Sequence, residues 1–276
     1  PGLPGTLELF GERMVFENVG ERFPLLTTKK MSIKNILVEL TWFLKGRTDL
    51  SYLTERGVHI WDRDAMRYYN DIGFKIESID DVFNKASIVG DLGKIYGKQW
   101  REWGEDKFDQ IENLITSLKK NPYSRYHIVT AWDPTIFLHY RDMAALPSCH
   151  ILFQCNVVEV NGKKRLDLSI LQRSCDLMLG VPYNIASYAA LLIILAKMTN
   201  MTPGNLIWFG NSVHIYENHV DNAKVQLSRV PRESPKLILN KDLNDIKDLN
   251  GLEDSDFELV GYHPYNKLDF ELNVGV

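Results

Sequence analysis

The stretch "ILFQCNVVEVNGKKRLDLSILQ" (151–172) decides how this chain folds. Two apolar-rich runs, 151–160 and 165–172, flank "NGKK" (161–164), and an Asn-Gly pair in such a setting is a strong short-range signal for a tight hairpin. The ends of the hairpin matter more than its turn. "LPSCH" (146–150) stands just before it and "QRSCD" (172–176) closes it, so antiparallel pairing brings Cys149 beside Arg173.

Outward from the hairpin, "SIKNILVELTWFLKG" (32–46) has Ser32 at an N-cap position, apolar residues on a helical period and Gly46 at the stop. "FDQIENLITSLKKNP" (108–122) places Ile111, Leu114, Ile115 and Leu118 on one side of a helix, with Pro122 after it. A long apolar helix is expected from about Asn184 to Met198, then a strand "LIWFG" (206–210), a further helix, and terminal strands around 257–262 and 268–273. Antiparallel strands interspersed with helices make an α+β fold. No repeat, linker or break in composition divides the chain, so 1–276 reads as one domain, with the polar stretch 75–90 as a surface excursion.

The 276 residues, 45% hydrophobic and 25% charged, suffice for a large core. A net charge of -4 argues against general nucleic-acid binding, while a local basic site for one phosphate remains open. The three cysteines, 149, 155 and 175, are odd in number and lack metal-ligand spacing, which supports neither a disulfide framework nor a zinc site. The opening "PGLPGTLELFG" has no signal-peptide pattern, and "AALLIILA" (189–196) is too short to span a bilayer. A cytoplasmic protein without metal, membrane or nucleic-acid partner is expected.

Cys149 reads either as a small buried side chain or as a thiol made reachable by the Pro-Ser turn. Arg173 is then the cation to stabilise its thiolate and hold an anionic substrate, or an ordinary surface residue. Asn184, in "GVPYN" (180–184), is a helix cap or an amide whose paired donor and acceptor match the N3-H and O4 edge of uracil. Glu39, the one acid in an apolar helix, needs a partner or a catalytic use. Cys155 and Cys175 carry no assigned role, and His150 is open between orienting the strand end and polarising the site.

In order and spacing, "LPSCH", "QRSCDLMLGVPYNIASY" and "HIYENH" resemble the thymidylate synthase family, and the match extends through "FPLLTTKKM", "ELTWFLKG", "HIWD", "YGKQWR", "AWDP" and "GYHPY". The resemblance implies a homodimeric α+β enzyme whose mixed or antiparallel sheet forms the dimer interface. It implies one-carbon transfer from 5,10-methylenetetrahydrofolate to C5 of dUMP. Cys149 is then similar to the nucleophile that adds to C6. Arg173 and Ser174 resemble phosphate ligands, with Arg125 reaching across from the partner subunit, and His214 and Tyr216 resemble the pair on the deoxyribose hydroxyl. Asn184 resembles the base reader; family members acting on cytosine have aspartate there. Glu39 resembles the acid that organises water at O4 and N5, and Tyr96 the residue whose water network removes the C5 proton. On the folate side, Asp176 resembles the pterin ligand, Trp61 the aromatic wall, Gly180 a lining residue, Lys29 a polyglutamate contact and Val276 the closing tail.

Several positions depart from the family. Tyr126 replaces the second arginine of the phosphate-binding pair, arginine is absent near Pro1, Ser148 stands where synthases have proline, and the family's first helix is expected to be missing. Ser212, in "GNSVH", takes the place of an aspartate and resembles the phage dCMP hydroxymethylases of the same family. The departures favour water capture of the C5 methylene, making a dUMP hydroxymethylase with Ser212 and Tyr126 reorganising water. The alternative is a thymidylate synthase, in which hydride is captured, and a third reading is a nucleotide-binding protein without turnover.

Overall fold

Asn161 and Gly162 both have positive φ, 52° and 72°, the left-handed pair that a two-residue type I′ hairpin turn requires. The strands they join are longer than the apolar runs alone suggest. In the computed structural model, which describes residues 4–137 and 144–273, the chain forms β1 (Thr6–Phe16), α1 (Ile33–Leu44), α2 (Leu50–Thr54), α3 (Asp62–Asp71), the short turn α4 (Ile79–Asp81), α5 (Tyr96–Arg101) and α6 (Gln110–Lys120). There follow β2 (Ile128–Thr130), β3 (His150–Val160), β4 (Lys163–Asp176), α7 (Gly180–Met198), β5 (Thr202–Tyr216), α8 (Val220–Leu227), β6 (Lys236–Leu239) and β7 (Phe257–Val260).

The main sheet has the order β1-β5-β4-β3-β2. Its pairs are antiparallel except β4 with β5, which run parallel because α7 carries the chain back over the sheet between them. The fold is therefore α+β as expected, with a mixed sheet. Phe153, Cys155, Leu166, Leu168, Ile170, Leu206 and Trp208 are buried on the α7 side. That helix is hydrophobic all round because the molecule encloses it, 78% of its apolar window being buried. On the outer face, where strand register places the alternate residues, Leu7, Leu9, Phe209 and Ile128 stay exposed.

Three expectations change. The long helix begins at Gly180, with Pro182 in its first turn where a missing N–H is harmless, so Asn184 lies within the helix and is not its cap. Residues 268–273 are not a strand; among the described residues β7 pairs only with β6, and the segment beyond is held by side chains. The stretch 75–90 is anchored rather than loose: Ser78 and Asp81 form a capping box, Ile76 and Val82 bury against Tyr69, and Leu50 and Ser51 donate to Gly90 and Val89. None of it lines the cavity described below. Strand β1 was not anticipated.

Ser32 caps α1 with a side-chain acceptor, as its position predicts, and Asp109 does the same for α6. Gly97 in α5 lies so close to the 42–47 segment that a Cβ there would overlap the Arg47 carbonyl oxygen. Neither partner is a flexible side-chain tip that could yield. We expect Gly97→Ala to lower unfolding stability by about 2 kcal/mol or more, measured as a reduced urea midpoint; an unchanged midpoint would contradict this packing.

Candidate active site

Parallel pairing of β4 with β5 sets Ser174 opposite Ser212 and Asp176 opposite His214. Alternate residues share one side of a sheet, so Gln172, Ser174 and Asp176 stand in rank with Ser212, His214 and Tyr216. All six line a cavity of about 860 Å³, together with Glu39 from α1, Trp61, Asp64 from α3, Tyr96 from α5, Cys149, Arg173, and Gly180 and Asn184 from α7. Residues separated by up to 269 positions in sequence, Pro4 to Asn273, thus meet at one surface.

Cys149 sits where the sequence places it, and its turn is clamped from several sides. The Arg173 backbone N–H donates to the Cys149 carbonyl at 2.8 Å, while its side chain donates from Nε to Ser148 O at 2.9 Å and from Nη2 to Pro147 O at 3.0 Å. The Cys149 N–H donates to the Tyr96 hydroxyl at 2.8 Å, and Ser148 Oγ donates to Ala131 O at 3.1 Å. The thiol itself is not activated as the sequence suggests. Burial pushes its pKa above the ordinary cysteine value, and the pull of Arg173 in the other direction does not overcome this. Cys155 and Cys175 are buried, with thiols pushed far up and up to about 12 respectively, which suits packing.

The Asn184 amide is oriented by a chain of donors that the sequence did not disclose. Trp208 Nε1–H can only donate, and it donates to Gln172 Oε1 at 3.0 Å. Gln172 must then turn its Nε2 the other way, toward Asn184 Oδ1 at 3.1 Å. Asn184 Nδ2 is left to donate into the cavity, and Oδ1 keeps a second lone pair to accept. That pattern complements an N3-H and O4 edge.

Glu39 is partly exposed by area because it opens onto the cavity, yet its carboxyl lies deep in protein. Burial raises its pKa to about 7, against a 2.7 Å hydrogen bond from Trp61 Nε1 that favours the ionised form. A carboxyl poised there can give or take a proton near neutrality. His150 is now placed: its ring stacks on Tyr96 at 3.8 Å, its Nδ1 meets the Tyr188 hydroxyl at 2.8 Å, and burial lowers its pKa to about 3. It is a neutral ring that orients Tyr96, whose phenol burial holds well above the ordinary value.

On the other wall, Asp176 Oδ1 accepts from Met178 and Leu179 N–H, both at 3.0 Å, which fixes the carboxylate at the mouth of α7. The C-terminal segment closes this side: His219 Nε2 donates to Glu271 O at 2.7 Å, Arg63 Nη1 to Leu272 O at 3.0 Å, and Leu272 and Asn273 line the cavity. Val276 lies outside the described residues. Lys29 stands away from the cavity lining: it is 3% exposed, donates to Met178 O and lies under the Phe270 ring at 4.5 Å. Its burial, opposed by Asp176, lowers its pKa to about 8, and in this arrangement it ties the tail to α7 rather than facing a ligand. Arg125 and Tyr126 are exposed, Tyr126 by 88%, and neither lines the cavity of its own chain, so Tyr126 does not act on water beside Ser212 there.

A family model described as thymidylate synthase matches residues 2–274. The chain is 42% identical over 288 residues to the thymidylate synthase of Saccharomyces cerevisiae, covering 98% of this chain and 89% of the relative. It is 40% identical over 273 residues to that of Buchnera aphidicola subsp. Schizaphis graminum, covering 98% and 91%. With that of Phytoplasma mali it shares 42% identity over 272 residues, covering 96% and 90%.

The raised Glu39 pKa has a thermodynamic consequence. Between the ordinary carboxylate value of 4.5 and about 7 the folded protein binds a proton at Glu39 that the unfolded chain has released, so this group's contribution to stability falls as pH rises through that window. Urea midpoints measured across that range are expected to decline less steeply in Glu39→Gln than in the parent chain, and parallel profiles would refute the assignment.

Proposed function

The chain belongs to the thymidylate synthase family, a family of one-carbon transferases, and on that premise we propose that it methylates dUMP at C5, forming dTMP and dihydrofolate. The observation that carries the reading is the Asn184 amide, held by Gln172 with a donor and an acceptor open to the cavity that contains Cys149. A cavity of about 860 Å³ has room for a nucleotide and a second ring system. Asp176, Trp61 and Gly180 are the residues that would hold the folate co-substrate, with Leu272 and Asn273 covering it.

In this mechanism Arg173 and Ser174 take the nucleotide phosphate, and His214 with Tyr216 takes the deoxyribose hydroxyl. Asn184 accepts from N3-H and donates to O4. Cys149 passes its proton to water in the cavity, Arg173 drawing toward the thiolate against the burial that opposes it, and the sulfur bonds to C6 while the C5–C6 π electrons move toward C5 and O4. Asn184 Nδ2 stabilises the charge that develops on O4, and Glu39 moves a proton there through ordered water. 5,10-Methylenetetrahydrofolate supplies the one-carbon unit and the hydride that completes the methyl group. Tyr96, neutral and fixed by Cys149 N–H and His150, orders the water that receives the C5 proton. Expulsion of the Cys149 sulfur then restores the ring.

The relatives' names favour this reading over hydroxymethylation. Water capture is kept as the second reading on one observation: the Ser212 hydroxyl replaces a family aspartate and lines the cavity. The phosphate site also needs Arg125, which stands exposed at the end of an apolar sheet face. A second copy covering that face completes the reading, as a homodimer in which each Arg125 serves the other chain's site.

Incubation with dUMP and methylenetetrahydrofolate is expected to give dTMP and the absorbance rise of dihydrofolate. Tetrahydrofolate with 5-hydroxymethyl-dUMP would instead establish the second reading, and absence of tritium release from C5-labelled dUMP would leave only binding. Cys149→Ala should lose roughly 10³-fold or more in turnover. Mixing the inactive Arg125→Ala and Cys149→Ala chains should restore activity through hybrid dimers carrying one intact site; no recovery would refute the shared site.

A further inference from the structure

Asp64 faces the cavity from the first turn of α3, yet the reaction described above gives it no task. Its carboxylate pairs with Arg67 one turn later, Arg67 Nη2 lying 2.9 Å from Asp64 Oδ1. Both side chains are largely buried, 13% and 23% exposed, so the pair is well shielded from solvent. The same Nη2 donates to Ala145 O at 2.8 Å. Ala145 is itself 2% exposed, and its N–H donates to Leu92 O at 2.9 Å.

Ala145 is the root of the turn that carries Cys149. Arg173 clamps the following carbonyls, Pro147 and Ser148, so two guanidinium groups grip this short segment at successive points. They differ in what accompanies them. Arg173 brings a positive charge to the thiol, whereas Arg67 brings a carboxylate whose negative charge also reaches Cys149.

We propose that Asp64 and Arg67 are a positioning pair for the nucleophile, Arg67 anchoring the Ala145 carbonyl and Asp64 setting a negative charge toward the thiol in opposition to Arg173. The proposal rests on reading Cys149 as the reactive residue. Burial raises the Asp64 pKa and Arg67 opposes that rise, so the pair also governs how much charge Asp64 presents. The other titratable groups around Cys149 are Glu39 from α1, Tyr96 from α5 and His150 beside it on β3. From β4 and β5 come Cys175, Asp176, His214 and Tyr216. Asp64 lines the cavity with the thiol, and its charge raises the thiol pKa while that of Arg173 lowers it.

The test is the pH dependence of Cys149 alkylation by iodoacetamide, followed on the Cys149 peptide by mass spectrometry in the full chain without nucleotide. Asp64→Asn should move the profile to lower pH and speed alkylation at neutral pH about threefold or more, because removing a like charge favours the thiolate. Asp64→Glu, which keeps the charge, should remain near the parent profile. If unpaired Arg67 prevents Asp64→Asn from folding, the doubly neutral Asp64→Asn, Arg67→Gln chain should still show a downward shift, since Asp64 shares the cavity lining with Cys149 and Arg67 does not. A profile unchanged from the parent in a folded charge-removed chain, or moved to higher pH, overturns the proposal. Alkylation requires no turnover, so a parent chain that fails to methylate dUMP, with variants that shift as stated, overturns the proposed reaction and leaves this pair standing.

Discussion

Everything in the site depends on two strands running the same way. Parallel pairing cannot be closed by a tight turn, so the chain must leave β4, cross the sheet as a helix and return as β5. That detour supplies α7, whose burial seals one face of the sheet and whose first turn carries Gly180 and Asn184 to the cavity. The same pairing sets Ser174 and Asp176 against Ser212 and His214 in fixed register. A one-residue slip would turn each of these side chains to the other face.

Burial then sets the chemistry. The environment that lifts Glu39 into the neutral range also lifts Cys149 away from ionisation and keeps His150 and Tyr96 uncharged. Only charges brought to the site selectively can change that balance, and Arg173 and Asp64 act on the thiol with opposite sign. Reactivity is therefore a difference between large opposing influences. A small change in what lies beside the thiol moves it appreciably.

The hairpin, the Ser32 cap and the apolar faces were legible because they follow from local rules: Asn161-Gly162 for the turn, Ser32 for the cap, a helical period in 108–122. Parallel pairing was not legible, since strand direction is set by the path between strands and not by either strand's residues. The resemblance named twelve residues that do line one cavity, from Glu39 to Tyr216, but it carried no information about environment. It gave Lys29 a ligand where the structure gives it Phe270 and Met178, and the hairpin reading credited Arg173 with an activation that burial outweighs. Gln172, Trp208 and Asp64 were missed because their roles act through another side chain. The nearest signal was Asp64 itself, an acid one turn before Arg67 on a helix that follows the Trp61 wall.

The path from Trp208 through Gln172 to Asn184 also bears on how this site could change over generations. The indole fixes Gln172 as a donor toward position 184, and a donor serves an asparagine oxygen and an aspartate oxygen equally well. Exchange of one side chain, Asn184→Asp, would therefore meet no resistance from the residues behind it while offering a carboxyl group to the base. The residues behind position 184 do not themselves choose between an amide and a carboxyl group, and that choice is concentrated in a single codon.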